Sequence, residues 1–321
     1  MRLFRAAVTA VLMGFSCASF AADAWPERPV TLVVPFPAGG TTDIVGRALA
    51  RSLSNVWKQP VIVENRGGAG GTIGALQVVR AAPDGYTLLL GTPADEVNAP
   101  FLLAKPPYDP ERSLVPVGCV NRGLNVLVVN AKVPAHSVAE LIALAKAQPG
   151  QLHFASAGNG NTSHLSGELF AQSAGIDIVH VPYRGNAPAI TDTVGGQVQM
   201  MFSSPASVRP HVQSGALRIL AVTSSERVPS LPDTPTLREA GLPVEVYSWA
   251  CVFAPAKTSA ALISRMNATL AQALNDPEVE KIFAASDAEK FQQTPEQAQQ
   301  FLAHERKVWG ELIRSRNIRA D

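Results

Sequence analysis

The sequence predicts an α/β protein of two doubly wound lobes joined by crossing hinge strands. Strands and helices alternate as β-α-β-α-β over residues 30–91, and the same alternation begins again near residue 125. Short connections in this order are typical of parallel, doubly wound sheets. Two long apolar stretches, 115–129 and 244–253, suit strands that run from one lobe to the other. We therefore expect a hinge at these two crossings.

The first 24 residues are predicted to be a secretory signal peptide. Arg2 and Arg5 form a basic start, and the mostly apolar run 6–20 is too short to span a membrane. Small residues allow cleavage after Ala21 or Ala24. The mature protein is therefore expected in the periplasm.

The mature chain is expected to divide into three parts. Residues 25–121 form the first part of lobe 1, residues 122–248 form lobe 2, and residues 249–321 return to lobe 1. The returning part carries helices with no strand of their own, the last of them predicted over residues 295–314. Such helices must pack on an existing lobe, because their apolar stripes need cover.

Charge and motif content exclude several functional classes. The chain has a net charge of +1, and the signal segment also carries +1, so the mature chain is neutral. We expect a monomer with no nucleic-acid partner. The sequence has no GxSxG, HExxH or CxxC motif, and its histidines lack metal-ligand spacing. We therefore expect no enzyme activity, no metal and no cofactor.

Two cysteines, Cys119 and Cys251, remain after the signal segment. An oxidising compartment permits a disulfide between them. They are far apart in the sequence, however, and small buried thiols are common in protein cores. On this basis the sequence favours two buried thiols over a disulfide.

The first strand, over residues 31–36, leads through Pro37-Ala38-Gly39-Gly40 into a helix that opens with Thr41 and Thr42. A helix start presents unpaired N–H groups and a positive dipole end, which favour an anion. The chain has no Gly-Lys pair and no GxGxxG spacing, so the sequence does not support a binding site for nucleotide phosphates. A carboxylate is the better candidate for the bound anion. The alternative is that this stretch is an ordinary capped βα turn that binds no ligand.

A similar element occurs in the second lobe, where a strand over 152–155 ends in a glycine-containing loop before Thr162 and Ser163. If the lobes face each other, two helix N-termini meet at one cleft. Two converging positive ends suit a carboxylate or dicarboxylate. The alternative is that the two loops lie on opposite sides of the molecule.

The chain resembles a family, the Bug-type periplasmic solute-binding proteins, which are receptors of tripartite tricarboxylate transporters. The matching stretches cover nearly the whole mature chain in family order, and they include WPERPVTLVVPFPAGGTTDIVGRALA, QPVIVENRGGAGGTIGA, AAPDGYTLLLG, FASAGNGNTSHLSGELFAQ, IVHVPYRGNAPAITDTVGGQVQMMF and LPDTPTLREAGLP. The resemblance implies a Venus-flytrap fold, similar to type II periplasmic binding proteins. It implies a small organic carboxylate trapped between the lobes and delivered to a membrane permease.

The resemblance also implies which residues hold the ligand carboxylate. In the first lobe they are Phe36, Pro37, Ala38, Gly39, Gly40, Thr41 and Thr42, and in the second lobe they are Ala157, Gly158, Asn159, Thr162, Ser163 and His164. Asp43 is expected to favour the helix dipole rather than contact the ligand.

Departures from the family pattern suggest where selectivity arises. The loop 91–96 contains Asp95 and Glu96 where the family commonly has a Gly-Ser-Asn-Gly-like loop, and Ser203 stands where the family often has Asp. Our hypothesis is that the far end of the ligand is contacted by four residues, namely Thr92, Glu96, Arg184 and Ser203.

Three functions remain open on sequence alone. The leading prediction is a transport receptor for a small carboxylate. The second is a periplasmic sensor that binds a similar ligand and docks on a signalling receptor. The third is an exported α/β hydrolase or lyase that uses the cleft. Closure around the ligand would accompany binding in the first two.

Overall fold

The computed structural model describes residues 25–319, so the predicted signal peptide and its cleavage sites lie outside the described residues. In chain order the strands are β1 (Val30–Val34), β2 (Val61–Asn65), β3 (Thr87–Gly91), β4 (Leu114–Leu124), β5 (Val126–Asn130), β6 (His153–Ser156), β7 (Val179–Pro182), β8 (Met200–Ser203), β9 (Leu217–Val222), β10 (Tyr247–Pro255) and β11 (Ala288–Lys290).

The α-helices lie between and after these strands. They are α1 (Thr41–Trp57), α2 (Thr72–Val79), α3 (Ala99–Leu102), α4 (Pro110–Ser113), α5 (Val138–Ala147), α6 (Thr162–Ala174), α7 (Asn186–Gly195), α8 (Pro205–Gln213), α9 (Ala260–Ala273), α10 (Pro277–Ala285) and α11 (Pro295–Ser315). A 3₁₀ turn covers Ala69–Gly71 and a π-helical turn covers Ala94–Asn98.

Each lobe is built on one sheet, and the two sheets share a plan. The first has the order β11-β4-β10-β3-β1-β2 and the second the order β7-β6-β8-β5-β9. In both, three parallel strands are followed by an antiparallel strand, β10 in the first sheet and β5 in the second. The two-lobed α/β architecture expected from the sequence is confirmed.

The first β-α unit shows why its sequence folds in this way. Strand β1 is buried on both faces, as expected for a strand inside a parallel sheet covered by helices. Helix α1 covers the sheet with Val45, Leu49 and Leu53. Gly46 allows this close packing, because a Cβ at that position would lie only 2.9 Å from a methyl carbon of Val34. The start of α1 is thereby held against the end of β1.

The chain crosses between the lobes at the two predicted places. The stretch predicted as one strand over 115–129 is divided at Asn125, with β4 in the first sheet and β5 in the second. The return crossing leads into β10, which begins at Tyr247 rather than at residue 244. Strands β4 and β10 pair antiparallel in the first sheet. The lobe boundaries themselves stay a prediction.

The two cysteines are bonded, so the preference for free thiols was wrong. Cys119 in β4 and Cys251 in β10 are directly paired in the antiparallel register and form a disulfide. Their separation of 132 residues concealed this pairing, because the chain passes through the second sheet before β10 returns to pair with β4. The disulfide joins the two strands nearest the hinge.

The C-terminal helices complete the first lobe. Helices α9 and α10 pack on α1, and α11 packs along β4 with Leu302 and Trp309 buried. Across residues 25–319, none of the helices has the length and apolar character that a membrane crossing requires.

Candidate functional site

The loops of interest leave the carboxyl ends of the parallel strands in both sheets. In the first lobe they follow β1 and β3, and in the second they follow β6, β7 and β8. Open α/β sheets place ligands outside the carboxyl ends of their strands, where the strand order reverses. The predicted loops therefore lie on the edge where a ligand is expected.

The N-cap residue of α1 is Gly40, which has no side chain that could cap the helix start. The helix starts at Thr41 directly after an extended Gly40, and Thr41 is exposed. First-turn N–H groups have no intrahelical acceptor, so they are available to an anion above the helix start. The dipole of this 17-residue helix adds to the attraction.

Asp43 braces the loop that precedes α1. Its carboxylate accepts hydrogen bonds from the Gly39 N–H at 2.8 Å, from Arg47 Nε at 3.0 Å and from Asn65 Nδ2 at 2.9 Å. Burial by itself raises the pKa of Asp43, but the bonds from Arg47, Gly39 and Asn65 outweigh it and hold that pKa below its usual value. The carboxylate is turned toward its own loop, and it fixes the shape of the α1 start.

The second-lobe loop is held by its own side chains. Asn161 caps α6 by accepting from the His164 N–H at 3.0 Å, and it also accepts from Ser163 Oγ at 2.7 Å. The Ala157 N–H donates to Ser163 Oγ at 3.0 Å, and the Gly160 N–H donates to His164 Nδ1 at 3.1 Å. Ser163 and His164 therefore set the conformation of the loop.

A cavity of about 230 Å³ lies between the two lobes. It is lined from both helix starts by Thr41, Thr42, Asn161 and Thr162, and from a third helix start by Ser204, the N-cap of α8. Its remaining lining residues are Phe36, Val45, Thr92, Pro93, Ala94, Asn121, Ser248, Trp249 and Ala250. In the described part of the chain, no charged side chain lines it.

A second cavity of about 440 Å³ shares Phe36, Ala94 and Asn161 with the first. The two lobes touch beside it, where Asn98 Nδ2 donates to the Gly160 carbonyl at 2.9 Å. Leu102 packs so closely on this loop that a Cβ at Gly160 would lie 2.2 Å from its Cδ1. The two cavities therefore form one interlobe region.

The structure brings most of the predicted site residues to this region. Those that line one of the two cavities are Phe36, Thr41, Thr42, Thr92, Ala157, Gly158, Asn159 and Thr162. Those that lie in the adjoining loop before α1 without lining a cavity are Pro37, Ala38, Gly39 and Gly40. Ser163 and His164 line neither cavity, and their side chains accept hydrogen bonds from backbone N–H groups of the second-lobe loop.

Three predicted selectivity residues lie elsewhere. Arg184 is exposed in the loop between β7 and α7. Ser203 is buried at the end of β8, where its hydroxyl is hydrogen bonded to the side-chain amide of Asn186. Glu96 is fully buried in the π-helical turn. None of the three lines either cavity.

The predicted contact between Glu96 and the far end of the ligand requires a correction. Neither of its carboxyl oxygens has a hydrogen-bond partner among the described residues, and Arg306 Nε donates to its backbone carbonyl instead. Burial raises the pKa of Glu96 well above its usual value, and the charge of Asp95 raises it further. The side chain lies against Gly91 inside the first lobe, because a Cβ at Gly91 would be only 2.8 Å from its Cγ. We therefore withdraw Glu96 from the proposed ligand contacts.

Sequence reasoning missed the polar residues supplied by the hinge strands. Asn121 on β4 and Ser248 on β10 line the smaller cavity, together with Trp249. A polar residue inside an otherwise apolar strand was the available signal for Asn121. The pairing of β4 with β10, which places these residues side by side, was not visible in the sequence.

A larger crevice of about 520 Å³ lies beside the hinge. Four of its five charged lining residues form ion pairs, Arg122 with Glu289, Asp287 with Arg209 and Arg227 with Glu239, and the fifth is Glu226. This crevice offers a ligand little unsatisfied charge. Within residues 25–319, no group of three or more His, Cys, Asp or Glu residues could hold a metal ion.

The model of the tripartite tricarboxylate transporter family receptor matches residues 45–318. The chain belongs to this receptor family. Among its relatives, protein BugT of Bordetella pertussis (strain Tohama I / ATCC BAA-589 / NCTC 13251) is 40% identical over 299 residues, which are 92% of each chain. The family and its solved members are solute-binding receptors rather than enzymes.

Two solved structures similar to this receptor contain ligands. An R. palustris protein with adipate is 35% identical, with a TM-score of 0.83 over 92% of this chain and 99% of its own. MatC from Rhodopseudomonas palustris with bound malate is 32% identical, with a TM-score of 0.79 over 90% of this chain and 100% of its own. Both ligands are dicarboxylates.

Proposed function

We propose that this family receptor binds a small organic carboxylate between its lobes in the periplasm and delivers it to a tripartite tricarboxylate-type membrane permease. The observation that carries the proposal is the meeting of three helix N-termini, those of α1, α6 and α8, at one interlobe cavity. Backbone N–H groups and dipoles at such ends attract carboxylates without any cationic side chain.

The neutral lining of the cavity supports the same ligand class. A cation would meet three positive helix ends and no acidic side chain there. The adipate and malate bound by the two similar proteins are consistent with a carboxylate ligand here. The volume of about 230 Å³ lies below the range of about 300–1,000 Å³ typical of drug-sized ligands, so it suits a small acid.

Hinge closure is the proposed binding step. The groups that hold the carboxylate come from both lobes, so their contacts with the ligand are complete only when the lobes meet. A receptor that closes in this way presents a different surface when it is loaded. This difference allows a permease to distinguish the loaded receptor from the empty one.

Native mass spectrometry of the exported protein tests the ligand class. The protein is titrated with a panel of mono-, di- and aromatic carboxylates, each matched with its neutral amide. We expect a stoichiometric adduct with at least one acid, none with its amide, and recovery of the acid unchanged. Binding of amides as tight as of acids, or consumption of the acid, contradicts the proposal. Uptake into vesicles that contain the permease then tests delivery.

A further inference from the structure

We infer that Asn121 binds a hydroxyl group of the ligand, and that the receptor prefers hydroxy acids over the matching acids without the hydroxyl. This inference rests on the proposed function, because it concerns the same cavity. It assigns a specificity role to a residue on a hinge strand rather than to a lobe loop.

Asn121 lies at the floor of the cleft, on the strand where the lobes join. It is 8% exposed, it pairs with Ala250 of β10, and its neighbour Val120 is fully buried. It lines the same cavity as Thr41 of the first lobe and Thr162 of the second. A ligand whose carboxylate lies at the two helix ends would therefore have Asn121 within the same enclosure.

The amide of Asn121 differs from the other buried polar groups of the lining. Thr92 Oγ1 donates to Asp95 Oδ1 at 2.6 Å, and Trp249 Nε1 donates to Glu305 at 2.9 Å. Asn121 Oδ1 accepts no hydrogen bond within residues 25–319. Buried polar groups are almost always hydrogen bonded, and leaving one unpaired is costly. A ligand group that pairs with this amide would remove that cost on binding.

The chemistry of the cavity selects among the groups that could pair with Asn121. Its oxygen needs a donor, and a ligand carboxylate has no proton to donate. An ammonium group could donate, but no acidic side chain lines the cavity in the described chain and three helix ends there are positive. A hydroxyl both donates and accepts, so it can pair with either end of the amide. A hydroxyl is therefore the group that fits.

The test compares acids that differ by a single hydroxyl, namely malate with succinate and lactate with propionate. Isothermal titration calorimetry gives the dissociation constants for the wild-type protein and for Asn121→Val and Asn121→Ala. We expect the wild type to bind at least one hydroxy acid about tenfold or more tightly than its partner acid. Both variants should reduce that ratio to about twofold or less, while still binding the unsubstituted acid.

Ser248→Ala serves as the matched control, because Ser248 lines the same cavity but its hydroxyl already donates to the Gly123 carbonyl at 3.1 Å. It should keep the hydroxy-acid ratio even if both affinities change. The inference is overturned if the wild type binds both members of each pair equally, or if Asn121→Val and Asn121→Ala keep the wild-type ratio. Either result leaves the proposed function standing. Failure of the wild type to bind any carboxylate overturns the proposed function as well.

Discussion

The imidazole rings of His164 and His180 are stacked, with their centroids 3.7 Å apart and 7° between their planes. His164 accepts from the Gly160 N–H of the second-lobe loop, and His180 Nε2 is hydrogen bonded to Ser156 Oγ at 2.6 Å. Burial, and then the charge of His164, lowers the pKa of His180 to about 3. The stack therefore holds the loop with a neutral His180.

The His180→Phe variant should change how stability depends on pH. In the unfolded chain a histidine takes up a proton near pH 6.5, whereas His180 in the folded protein does so only near pH 3. The unfolded state thus binds more protons between these values, and the wild type loses stability as the pH falls from about 6.5 toward 3. The slope from one group is at most about 1.4 kcal/mol per pH unit.

Phenylalanine keeps a ring in the stack but cannot titrate, so the variant should lose this part of the pH dependence. Urea denaturation at pH 7 and pH 5 measures how the unfolding free energy changes with pH. The comparison variant is His211→Phe, at a half-buried position of α8. An equal loss of stability on acidification in His180→Phe and in the wild type would show that His180 titrates normally.

The Glu96→Gln variant should be more stable than the wild type at high pH. The pKa of Glu96 is raised in the folded protein by burial and then by Asp95, so its stability contribution is present in acid and is lost as the pH rises above about 4.5. Glutamine resembles the protonated acid in shape and cannot ionise. We expect a gain of about 1–3 kcal/mol at pH 8 and little change at pH 4.

Chemical denaturation at the two pH values measures this difference, and Glu311→Gln on the exposed face of α11 is the control. A gain that is the same at pH 4 and pH 8 would contradict the burial of an ionisable carboxyl at this position.

The Thr41→Asp variant separates helix stability from ligand binding. An acidic residue in the first turn stabilises a helix by about 0.3–1 kcal/mol, so the thermal midpoint should stay level or rise. The same charge occupies the place proposed for the ligand carboxylate, and we expect the affinity to fall about tenfold or more. Thr41→Asn, equal in size and neutral, should lose far less. Equal affinities of the two variants would argue against an anion at the α1 start.

Removal of the disulfide should destabilise the protein. Cys119 and Cys251 close a loop of 132 residues, and in the chain-entropy account such a link restricts the unfolded state. We expect the double variant with alanine at both positions to lose about 2–5 kcal/mol of unfolding free energy. Denaturation of the wild type with and without a reducing agent provides the comparison. No loss in either experiment would mean that the hinge strands are held without the bond.

The sequence predicted the lobes and the two cavity loops because these depend on local signals. A strand, a small-residue loop and a helix start are read within one stretch of chain, as in the approach to Thr41. The alternation of strands and helices then limits the topology. The last helix was predicted over residues 295–314 and extends over Pro295–Ser315, for the same reason.

The features that the sequence missed depend on distant pairings. The disulfide follows from the β4–β10 register, and the role proposed for Asn121 follows from the cavity beside that pair. Glu96 was expected at the ligand because a carboxylate in a loop suggests a polar contact. The π-helical turn instead directs it into the lobe, against Gly91.

A crystal structure with the tightest-binding carboxylate would locate the ligand relative to the helix starts. We expect carboxylate oxygens about 3 Å from first-turn backbone nitrogens of α1 and α6, in the cavity that Thr41 and Thr162 line. A ligand with no carboxylate oxygen near either helix start, or a ligand in the crevice beside the hinge, would contradict it.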